Sequence, residues 1–464
     1  MSSAANMSLY TELLKKYDRP GPRYTSYPTA PVWSTEVGPE VYHQTLREAA
    51  SQSEVPLSLY CHIPFCRQRC LYCGCNTFIT NQPSRPGEYV TTLMREIDAT
   101  ADQLGSRTKV NQFHFGGGTP THLTVDELSR LLDHFDSRFT FLPDCEKSIE
   151  IDPRVTTRAQ LDMLASRGFN RLSIGVQEFD PSVQQAIGRV QPQEVVAAAQ
   201  DYGKSLKFRG INFDLIYGLP RQTVAGFRDT IEKVIAMRPD RLAIYSYAHL
   251  PNMLEHQKKI NPEDLPSPAV KYELFLTALE MFITAGYHQI GIDHFALPDD
   301  ELSLAQADGR LHRNFMGYTV QSADEMIGFG MSAIGYIGNS FFQNISKVDP
   351  YAKAIEDKGC AIYRGMQLSQ NDLVRQYVIS NLMCNFQLKY GSFRKRFGVE
   401  FDSYFATERE SLGEFVSDGL LTLNPQGIEI TPLGRTFVRN IAMTFDAYLN
   451  SADSKPKATY SRTI

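Results

Sequence analysis

The stretch LSLYCHIPFCRQRCLYCGCN, residues 57–76, decides the fold, because an apolar strand runs directly into a loop crowded with cysteines. Cys66, Cys70 and Cys73 are separated by three and then by two residues, and Cys75 follows. Three thiolates on one loop can hold three corners of a cuboidal iron–sulfur cluster and leave the fourth iron open to a ligand that is not protein. The spacing therefore predicts a cluster that takes part in chemistry, rather than one that only moves electrons.

Two other uses of cysteine are less well supported by the sequence. A structural zinc site usually combines two short Cys/His hooks a dozen or more residues apart, whereas Cys145, Cys360 and Cys384 are each isolated. Disulfides are disfavoured because the N-terminus has no signal-peptide pattern and a chain of 464 residues needs no covalent staples. Zinc therefore stays as the weaker alternative to the cluster.

The composition is that of an ordinary globular protein, with 42% hydrophobic and 21% charged residues. Its length is enough for a large domain with one or two smaller ones. No apolar run reaches the roughly 18 residues of a membrane-spanning helix, and the net charge of −5 argues against general nucleic-acid binding. We therefore expect a cytoplasmic protein without membrane or nucleic-acid partners.

Strand-like and helix-like segments alternate over the first half of the chain. The predicted strands are LSLYCHI (57–63), NQFHFGG (111–117), KSIEID (147–152), RLSIGV (171–176), NFDLIYG (212–218) and RLAIYSY (241–247). The predicted helices are 88–104, 124–138, 157–167, 193–206 and 223–236. This alternation implies parallel strands joined by right-handed crossovers. About six such units fit a partial (β/α)6 barrel, with a doubly wound open sheet as the alternative.

Polar motifs follow these strands where a barrel would carry its function. They are the cysteine loop after the first strand, Gly116-Gly117-Gly118-Thr119-Pro120 after the second, Glu150 and Asp152 on the third, Gln177 after the fourth, Asp214 in the fifth, and Tyr247 and Ala248 at the sixth. Because the loops at the carboxyl ends of barrel strands surround one site, we expect these side chains to line one cavity. The glycine run is neither GxGxxG nor a Walker loop; it suits close backbone approach to a small amphoteric ligand, or simply a tight turn.

We predict four segments along the chain. They are an N-terminal arm and first helix (1–50), a barrel core (51–300), a barrel-completing and connecting segment (301–364) and a C-terminal helical domain (365–464). Helical patterns at 370–385 and 402–418, followed by two short strands within 419–437, indicate a small, mostly helical, winged-helix-like domain. The acidic chain favours a structural or lid role for it over DNA binding. The arm is too apolar for a free tail and is expected to pack on the body.

CxxxCxxC after the first strand, followed by GGGTP after the second, resembles the radical S-adenosylmethionine superfamily. A narrower resemblance is to the oxygen-independent coproporphyrinogen III oxidases, from the arm through residue 344 and into the C-terminal domain. The strings that carry it are the CxxCxC ending of the cysteine loop (70–75), RPGPRYTSYPTA (19–30), GVQEF (175–179), GRVQ (188–191), FDLIYGLP (213–220), YSYAHLP (245–251), IDHFALPDDEL (292–302) and LHRNFMGYT (311–319).

The resemblance implies a radical-SAM-type barrel with a [4Fe–4S] cluster and one or two molecules of S-adenosylmethionine. The implied reaction, in haem biosynthesis, converts two propionates of coproporphyrinogen III to vinyl groups, giving protoporphyrinogen IX, while S-adenosylmethionine is cleaved to methionine and 5′-deoxyadenosine. It also implies a reducing electron donor such as a flavodoxin or ferredoxin, and a monomer.

Haem-binding chaperones of the same superfamily are the alternative. They usually have Phe where Cys75 stands, usually lack the arm, and tend to have His at the position of Gln191. This sequence has the oxidase residue at each of these places. A DNA-binding iron–sulfur regulator that uses the C-terminal domain is a third and weaker possibility.

The resemblance also assigns roles residue by residue. Cys66, Cys70 and Cys73 correspond to the metal ligands, and Cys75, required but not a ligand, is grouped with Tyr60 and Glu150 as catalytic. Tyr60, Gly117, Glu150 and Ile334 correspond to positions around the cluster-bound S-adenosylmethionine. Tyr72, Gly118, Thr119, Gln177, Arg189, Asp214 and Ala248 correspond to positions around a second one. The family usually has Phe at Tyr72 and often Val at Cys61, so Cys61 is assigned to packing.

A substrate with four propionates needs cations and a broad apolar surface around it. Arg23, Arg310 and Arg313 are the candidate cations. Glu150 or Asp214 would be favourable beside a sulfonium cation and can accept hydrogen bonds from ribose hydroxyls. The further candidates for a functional role are His62, His294 and His312.

Overall fold

The computed structural model describes residues 10, 12–320, 325–449 and 460–463. Residues 1–9, 11, 321–324, 450–459 and 464, which fall within the predicted arm, connecting segment and C-terminal domain, lie outside the described residues. By its internal contacts the chain divides into two compact units. The barrel unit comprises residues 34–287 and 321–367, and the terminal unit comprises residues 1–33, 288–320 and 368–464.

The strands, in chain order, are β1 (Leu57–Ile63), β2 (Phe65–Cys66), β3 (Phe78–Ile79), β4 (Lys109–Gly117), β5 (Thr140–Ile151), β6 (Arg171–Gln177), β7 (Gly210–Tyr217), β8 (Arg241–Ser246), β9 (His288–Ile290), β10 (His294–Ala296), β11 (His312–Asn314), β12 (Gly317–Thr319), β13 (Met326–Phe329), β14 (Ile334–Ile337), β15 (Ser340–Asn344), β16 (Ile362–Gln367), β17 (Gln387–Lys389), β18 (Leu421–Asn424) and β19 (Gly427–Ile430).

The helices are α1 (Pro39–Ala49), α2 (Ser84–Leu104), α3 (Val125–Arg138), α4 (Arg158–Ser166), α5 (Pro181–Ala186), α6 (Gln193–Ser205), α7 (Val224–Met237), α8 (Pro268–Thr284), α9 (Glu301–Ala307), α10 (Val348–Lys358), α11 (Gln370–Asn385), α12 (Tyr390–Phe397), α13 (Phe401–Tyr404), α14 (Ala406–Ser417) and α15 (Val438–Met443). Across the described part of the chain, none of the helices is both long and apolar enough to cross a membrane.

Six neighbouring parallel strands form the centre of the barrel unit, in the order β1-β4-β5-β6-β7-β8. Successive β/α units lie side by side, which confirms the partial barrel. The doubly wound alternative is wrong, because its strand order would reverse at a switch point. On the other side of β1 lies β13, also parallel, and β14, β15 and β16 continue the sheet in antiparallel fashion.

The barrel strands form because both of their faces are covered, as is usual for parallel sheets. On β1 the side chains of Leu57, Leu59, Cys61 and Ile63 are fully buried, which supports a packing role for Cys61. Strand β5 begins seven residues earlier than predicted, at Thr140. Residues 140–146 include Pro143 and Asp144, which are turn signals in the sequence, and these two residues lie where the pairing with β4 breaks register, between Phe141 and Glu146.

The terminal unit is mostly helical and has its own apolar core. Tyr17, Tyr24 and Tyr27 of the arm are buried in that core with residues of α11, α14 and α15, so the arm packs on the body as expected. The two predicted strands are β18 and β19, and the unpredicted β17 pairs with β19 on its other edge. The predicted helix 402–418 is interrupted at Phe405, whose non-helical backbone accompanies a fully buried ring.

Candidate active site

A cavity of about 780 Å³ lies in the barrel unit, at the carboxyl ends of its parallel strands. It is lined by thirteen of the predicted site residues: Cys66, Cys70, Tyr72, Cys73, Cys75, Gly117, Gly118, Thr119, Glu150, Gln177, Arg189, Asp214 and Ala248. These residues come from six different β/α units, so the strand-end rule brings them together as expected. Among the described residues, Tyr60 and Ile334 do not belong to its lining.

The cysteine loop is closed at its base by the short parallel pair β2 and β3. Cys70 is buried, Cys66 and Cys73 are half-buried, and Cys75 is solvent-accessible within the cavity. The Cys75 N–H lies 3.4 Å from the Sγ of Cys73. Hydrogen bonding by Cys75 lowers the pKa of Cys73 to about 7, in spite of burial, whereas burial raises the pKa of Cys66 to about 11. The loop therefore holds thiols of unequal acidity at one wall of the cavity.

The glycine run holds the cysteine loop against the end of β4. The N–H of Gly118 donates to the Ile63 carbonyl at 2.9 Å, and the N–H of Thr119 donates to the Phe65 carbonyl at 2.9 Å. A Cβ on Gly118 would lie 2.6 Å from the Pro64 oxygen, closer than real atoms allow. The run is therefore required for backbone-to-backbone packing, and Gly117 and Gly118 also line the cavity.

Glu150 is held in place by neighbours on β4. Its Oε2 accepts the Gly117 N–H at 3.0 Å, and its Oε1 lies 3.5 Å from Nε2 of His114. Burial alone would raise the pKa of Glu150, but hydrogen bonding to His114, the charge of His114 and the Gly117 N–H lower it below the ordinary value. An ionised carboxylate therefore faces the cavity beside the cysteine loop.

Tyr60 lies behind this carboxylate, on β1. Its ring stacks on that of His114 with the centroids 5.9 Å apart. Its hydroxyl donates to Nδ1 of His62 at 2.9 Å, and Nε2 of His62 donates to the Asn76 carbonyl at 2.9 Å. Burial lowers the pKa of His62. The neutral ring thus links the strand to the end of the cysteine loop.

Ile334 is the first residue of β14 and pairs with Gln343 of β15. Its carbonyl carbon and oxygen lie against Gly328, the residue of β13 that pairs with Tyr60. The structure therefore sets Ile334 two strands away from β1 in the sheet, at the level of Tyr60, and outside the cavity lining.

A buried ion-pair cluster forms the wall next to Cys70. Arg189 donates through Nη1 to Oδ2 of Asp152 at 3.1 Å, and Arg154 donates to the same carboxylate through Nε and Nη2. Burial would raise the pKa of Asp152, yet the hydrogen bonds and charges of the two arginines lower it. Two guanidinium groups and one carboxylate leave this wall with a net positive charge.

Another part of the lining comes from β6, β7 and the loop after β8. Asp214 accepts hydrogen bonds from Ser173 at 2.8 Å and from Asn212 at 2.9 Å. Gln177, at the end of β6, has a left-handed backbone with φ of 68°. Gln257 donates to the carbonyls of Tyr72 and Ala248, both at 3.2 Å, so it joins the cysteine loop to the β8 loop.

Sequence reasoning missed four residues that support this site. His114 lies two positions before Gly116 in a predicted strand, so the alternation of side chains could have indicated that it faces the same side as the glycine run. Arg154 lies two positions after Asp152, so its nearness to a predicted site residue was a local signal. His256 and Gln257 carry no such signal, because their partners Cys73 and Tyr72 lie 183 and 185 positions away in the sequence.

The other candidate residues lie in the terminal unit. Arg23 and Arg313 both approach the buried Asp293, Arg313 at 3.7 Å, and His294 contacts the same carboxylate at 2.7 Å. Arg310 is exposed and pairs with Asp308, and His312 is exposed on β11. Two of the three arginines therefore share one buried carboxylate.

The residues present fit an iron–sulfur cluster with an organic ligand. The three cysteines open into a roomy cavity, and the buried Nε of Arg189 has no hydrogen-bond partner among the described residues. No group of three His, Cys, Asp or Glu side chains in the described ranges is arranged around a single ion. A cuboidal cluster binds each cysteine to a different iron, so it needs three thiols that open into one cavity rather than three that meet at one ion.

Comparisons with known proteins agree with this site. The radical SAM superfamily model matches residues 60–234, and the HemN C-terminal domain model matches residues 368–437. The chain is 44% identical to the oxygen-independent coproporphyrinogen III oxidase of Pseudomonas aeruginosa, with 98% of each chain covered. It is 43% identical to that of Escherichia coli over 94% of this chain and 95% of the relative.

A solved structure, that of coproporphyrinogen III oxidase (HemN) from Escherichia coli, described as a radical SAM enzyme, superimposes with a TM-score of 0.90. The match covers 94% of this chain and 98% of that chain at 41% identity. It therefore extends over the barrel, the arm and the C-terminal helices.

Proposed function

This chain belongs to the family of oxygen-independent coproporphyrinogen III oxidases within the radical S-adenosylmethionine superfamily, and we propose that the cavity beside the cysteine loop is its active site. Its reaction is the oxidative decarboxylation of two propionates of coproporphyrinogen III to vinyl groups, which gives protoporphyrinogen IX in haem biosynthesis. Its cofactors are a [4Fe–4S] cluster and S-adenosylmethionine. One observation carries the assignment of the site: the three cysteines open into the same cavity as Glu150 and Asp214.

We assign Cys66, Cys70 and Cys73 as the cluster ligands, and Cys75 as a required residue that is not a ligand. When bound, the cluster and S-adenosylmethionine would supply one-electron, radical chemistry. Cys75 supports the loop through its N–H, which lies 3.4 Å from the Sγ of Cys73, and hydrogen bonding by Cys75 lowers the pKa of Cys73 to about 7.

The walls of the cavity bind and orient the ligands. Glu150 is ionised, and its partners His114 and Gly117 fix its direction, so it can accept hydrogen bonds from an amino group or ribose hydroxyls. Asp214 is oriented by Ser173 and Asn212 for the same purpose. Tyr60 acts behind Glu150, by stacking on His114, rather than from the cavity lining.

The remaining assignments carried by the family are also proposals. Gly117, Gly118 and Thr119 would offer backbone groups, Tyr72 a ring face, and Gln177, Arg189 and Ala248 further contacts to one or two molecules of S-adenosylmethionine. We keep Ile334 as a backbone contact from the sheet. Arg23, Arg310 and Arg313 stay the candidates for the substrate propionates, and each of them already pairs with a carboxylate, Asp293 for Arg23 and Arg313 and Asp308 for Arg310.

The reaction also needs partners beyond the substrate. We propose a low-potential electron donor such as a flavodoxin or ferredoxin, a monomeric enzyme and a cytoplasmic location, where a reducing compartment keeps the cysteines as thiols. The predicted division into arm, barrel core, connecting segment and C-terminal domain stays a proposal. We also propose that the arm or the C-terminal domain serves as a lid.

An anaerobic assay of the reconstituted protein with S-adenosylmethionine, reductant and coproporphyrinogen III tests the function. Protoporphyrinogen IX with 5′-deoxyadenosine is the expected product pair. Stoichiometric haem binding without turnover would support the chaperone instead. Cys66→Ser should lose iron and the cluster absorbance, whereas Cys75→Ser should keep the cluster and lose decarboxylation. Full activity of Cys75→Ser would contradict the role given to that residue.

A further inference from the structure

Arg189 contacts a cysteine that the proposed function assigns to the cluster. Its Nη1 lies 3.8 Å from the Sγ of Cys70, within the range of an N–H···S hydrogen bond. The Arg189 side chain is only 8% exposed, and a guanidinium keeps its charge in proteins. A fixed positive charge is therefore buried beside one cysteine sulfur.

The position of this charge is determined by several contacts. Nη2 of Arg189 donates to the Gly175 carbonyl at 2.7 Å, and its backbone N–H donates to the Gln184 carbonyl at 2.9 Å. Gln191 donates to the same Gly175 carbonyl at 3.1 Å and so braces the end of β6. Arg189 therefore has little freedom to leave Cys70.

The negative charge of Asp152 partly neutralises the positive charge of Arg189, and Arg154 in turn partly neutralises Asp152. Oδ2 of Asp152 accepts from both arginines, at 3.1 Å from Arg189 and 2.6 Å from Arg154. The side chain of Asp152 is 10% exposed and that of Arg154 is 21% exposed. The three groups sum to one positive charge in a poorly solvated wall, where electrostatic effects are larger than in water.

Hydrogen bonds to the sulfurs and the local net charge set the reduction potential of an iron–sulfur cluster. Reduction adds one electron to the cluster from an external one-electron donor and makes it more negative, while the proton of the N–H···S bond stays on the guanidinium. A donor and a positive charge at the sulfur favour that more negative state. We propose that Arg189 raises the reduction potential of the cluster through Cys70, and that Asp152 and Arg154 set the size of this effect.

This proposal rests on the assignment of Cys70 as a cluster ligand. It predicts shifts of the reduction potential in opposite directions when the charge of Arg189 and the charge of Asp152 are removed. Removal of Arg189 should make the cluster harder to reduce, whereas neutralisation of Asp152 should make it easier. Damage to the packing alone would move both variants in one direction. The consequence for the enzyme is that electrons can be accepted from a less strongly reducing donor.

The test is a redox titration of the anaerobically reconstituted full-length protein without S-adenosylmethionine, followed by the EPR signal of the reduced cluster. For Arg189→Met we expect the equilibrium constant for reduction to fall about tenfold, which is about 59 mV for one electron. Asp152→Asn, which can still accept a hydrogen bond, should raise it several-fold, and Arg154→Met should lower it less than Arg189→Met. Arg158→Met, which removes an exposed arginine on α4 that lies over the Tyr202 ring, should leave it unchanged.

Unchanged potentials in both Arg189→Met and Asp152→Asn, or shifts of the same sign, would overturn the proposal while the proposed function stood. If Arg189→Met fails to assemble a cluster, the sign of the shift in Asp152→Asn decides, because a downward shift or none would also overturn it. A wild-type protein that holds no cluster would instead overturn the proposed function. Equal iron content in the compared variants is the control for assembly.

Discussion

At the scale of single residues, Gly118 packs directly against the backbone at the start of the cysteine loop, where there is no room for a side chain. An added Cβ would meet the Pro64 oxygen at 2.6 Å and the Phe65 oxygen at 2.9 Å. Both are backbone atoms next to Cys66, so neither can move without moving the loop.

We therefore expect Gly118→Ala to destabilise the barrel unit by about 1–3 kcal/mol and to lower the iron content after reconstitution. The matched control is Gly74→Ala in the same loop, where an added Cβ meets nothing within 4 Å. Thermal unfolding and iron analysis measure both effects. Wild-type iron content in Gly118→Ala would show that the loop does not depend on this contact.

A second residue-scale feature is the buried carboxylate of Glu96 on α2. It accepts hydrogen bonds from the Gly330 N–H at 2.7 Å, from Asn344 at 2.6 Å and from Tyr351 at 2.6 Å. Burial outweighs these donors and raises the pKa of Glu96 to about 7, from an ordinary value of 4.5. Between those values the folded state holds a proton that the unfolded state has released.

Stability should therefore fall as the pH rises from about 4.5 to about 7, and level off above that, by about 1.4 kcal/mol for each pH unit within the interval. Glu96→Gln lacks this titration, so the difference in unfolding free energy between wild type and variant should decrease across the interval. Urea unfolding at pH 5.5 and at pH 8 measures it. A difference independent of pH would mean that Glu96 is not titrating there.

At the scale of elements, helix α4 supports the turn that follows the glycine run. Gln160 donates through Nε2 to the carbonyls of Thr121 and Leu123, at 2.8 and 2.7 Å, while its Oε1 accepts from Thr157 in a capping box. A single buried amide thus joins a helix N-terminus to the segment after Pro120.

We expect Gln160→Ala to destabilise the barrel unit by about 2–4 kcal/mol, because it removes a cap and leaves two carbonyls without donors. Thr124→Ala, which removes only the exposed capping box of α3, is the control and should cost about 1 kcal/mol. Chemical unfolding of both variants gives the comparison. Equal losses in the two variants would refute the bridging role.

The same scale shows what periodicity can predict. The first predicted strand and the helix at 370–385 have the bounds that the structure gives them, because their patterns are local. The start of β5, the strand β17 and the extension β13–β16 were missed. Strands β13 and β17 form by pairing with β1 and β19, which are distant in the sequence. Strands β14 and β15 pair with each other across the two-residue turn of Gly338 and Asn339, which is a local hairpin signal that the prediction overlooked.

At the scale of the whole molecule, the terminal unit is assembled from three separate segments of chain. Arg439 on α15 joins the first of these segments to the last. It donates to the carbonyls of Pro22 and Arg462 at 3.0 Å, and to that of Gly21. Its side chain is buried. The beginning and the end of the described chain are thus tied to one helix.

Arg439→Met should leave these carbonyls without their charged donor and release the arm. Loss of these hydrogen bonds should make release of the arm easier by at least about 1.4 kcal/mol, so trypsin should cut after Arg23 at least about tenfold faster than in the wild type. Arg394→Met removes an exposed arginine paired with Glu400, and trypsin should cut this control variant after Arg23 at the wild-type rate. An unchanged rate in Arg439→Met would show that other contacts suffice to hold the arm.

The sequence by itself determined the alternation of strands and helices, the cofactor class and the family, because cysteine spacing, side-chain periodicity and glycine runs are properties of neighbouring residues. Only the tertiary structure decided which distant groups meet. Arg189 reaches Cys70 across 119 positions, His114 supports Glu150 from the next strand, and Ile334 stays out of the cavity lining. Such contacts depend on how strands lie side by side, and no local pattern encodes that arrangement.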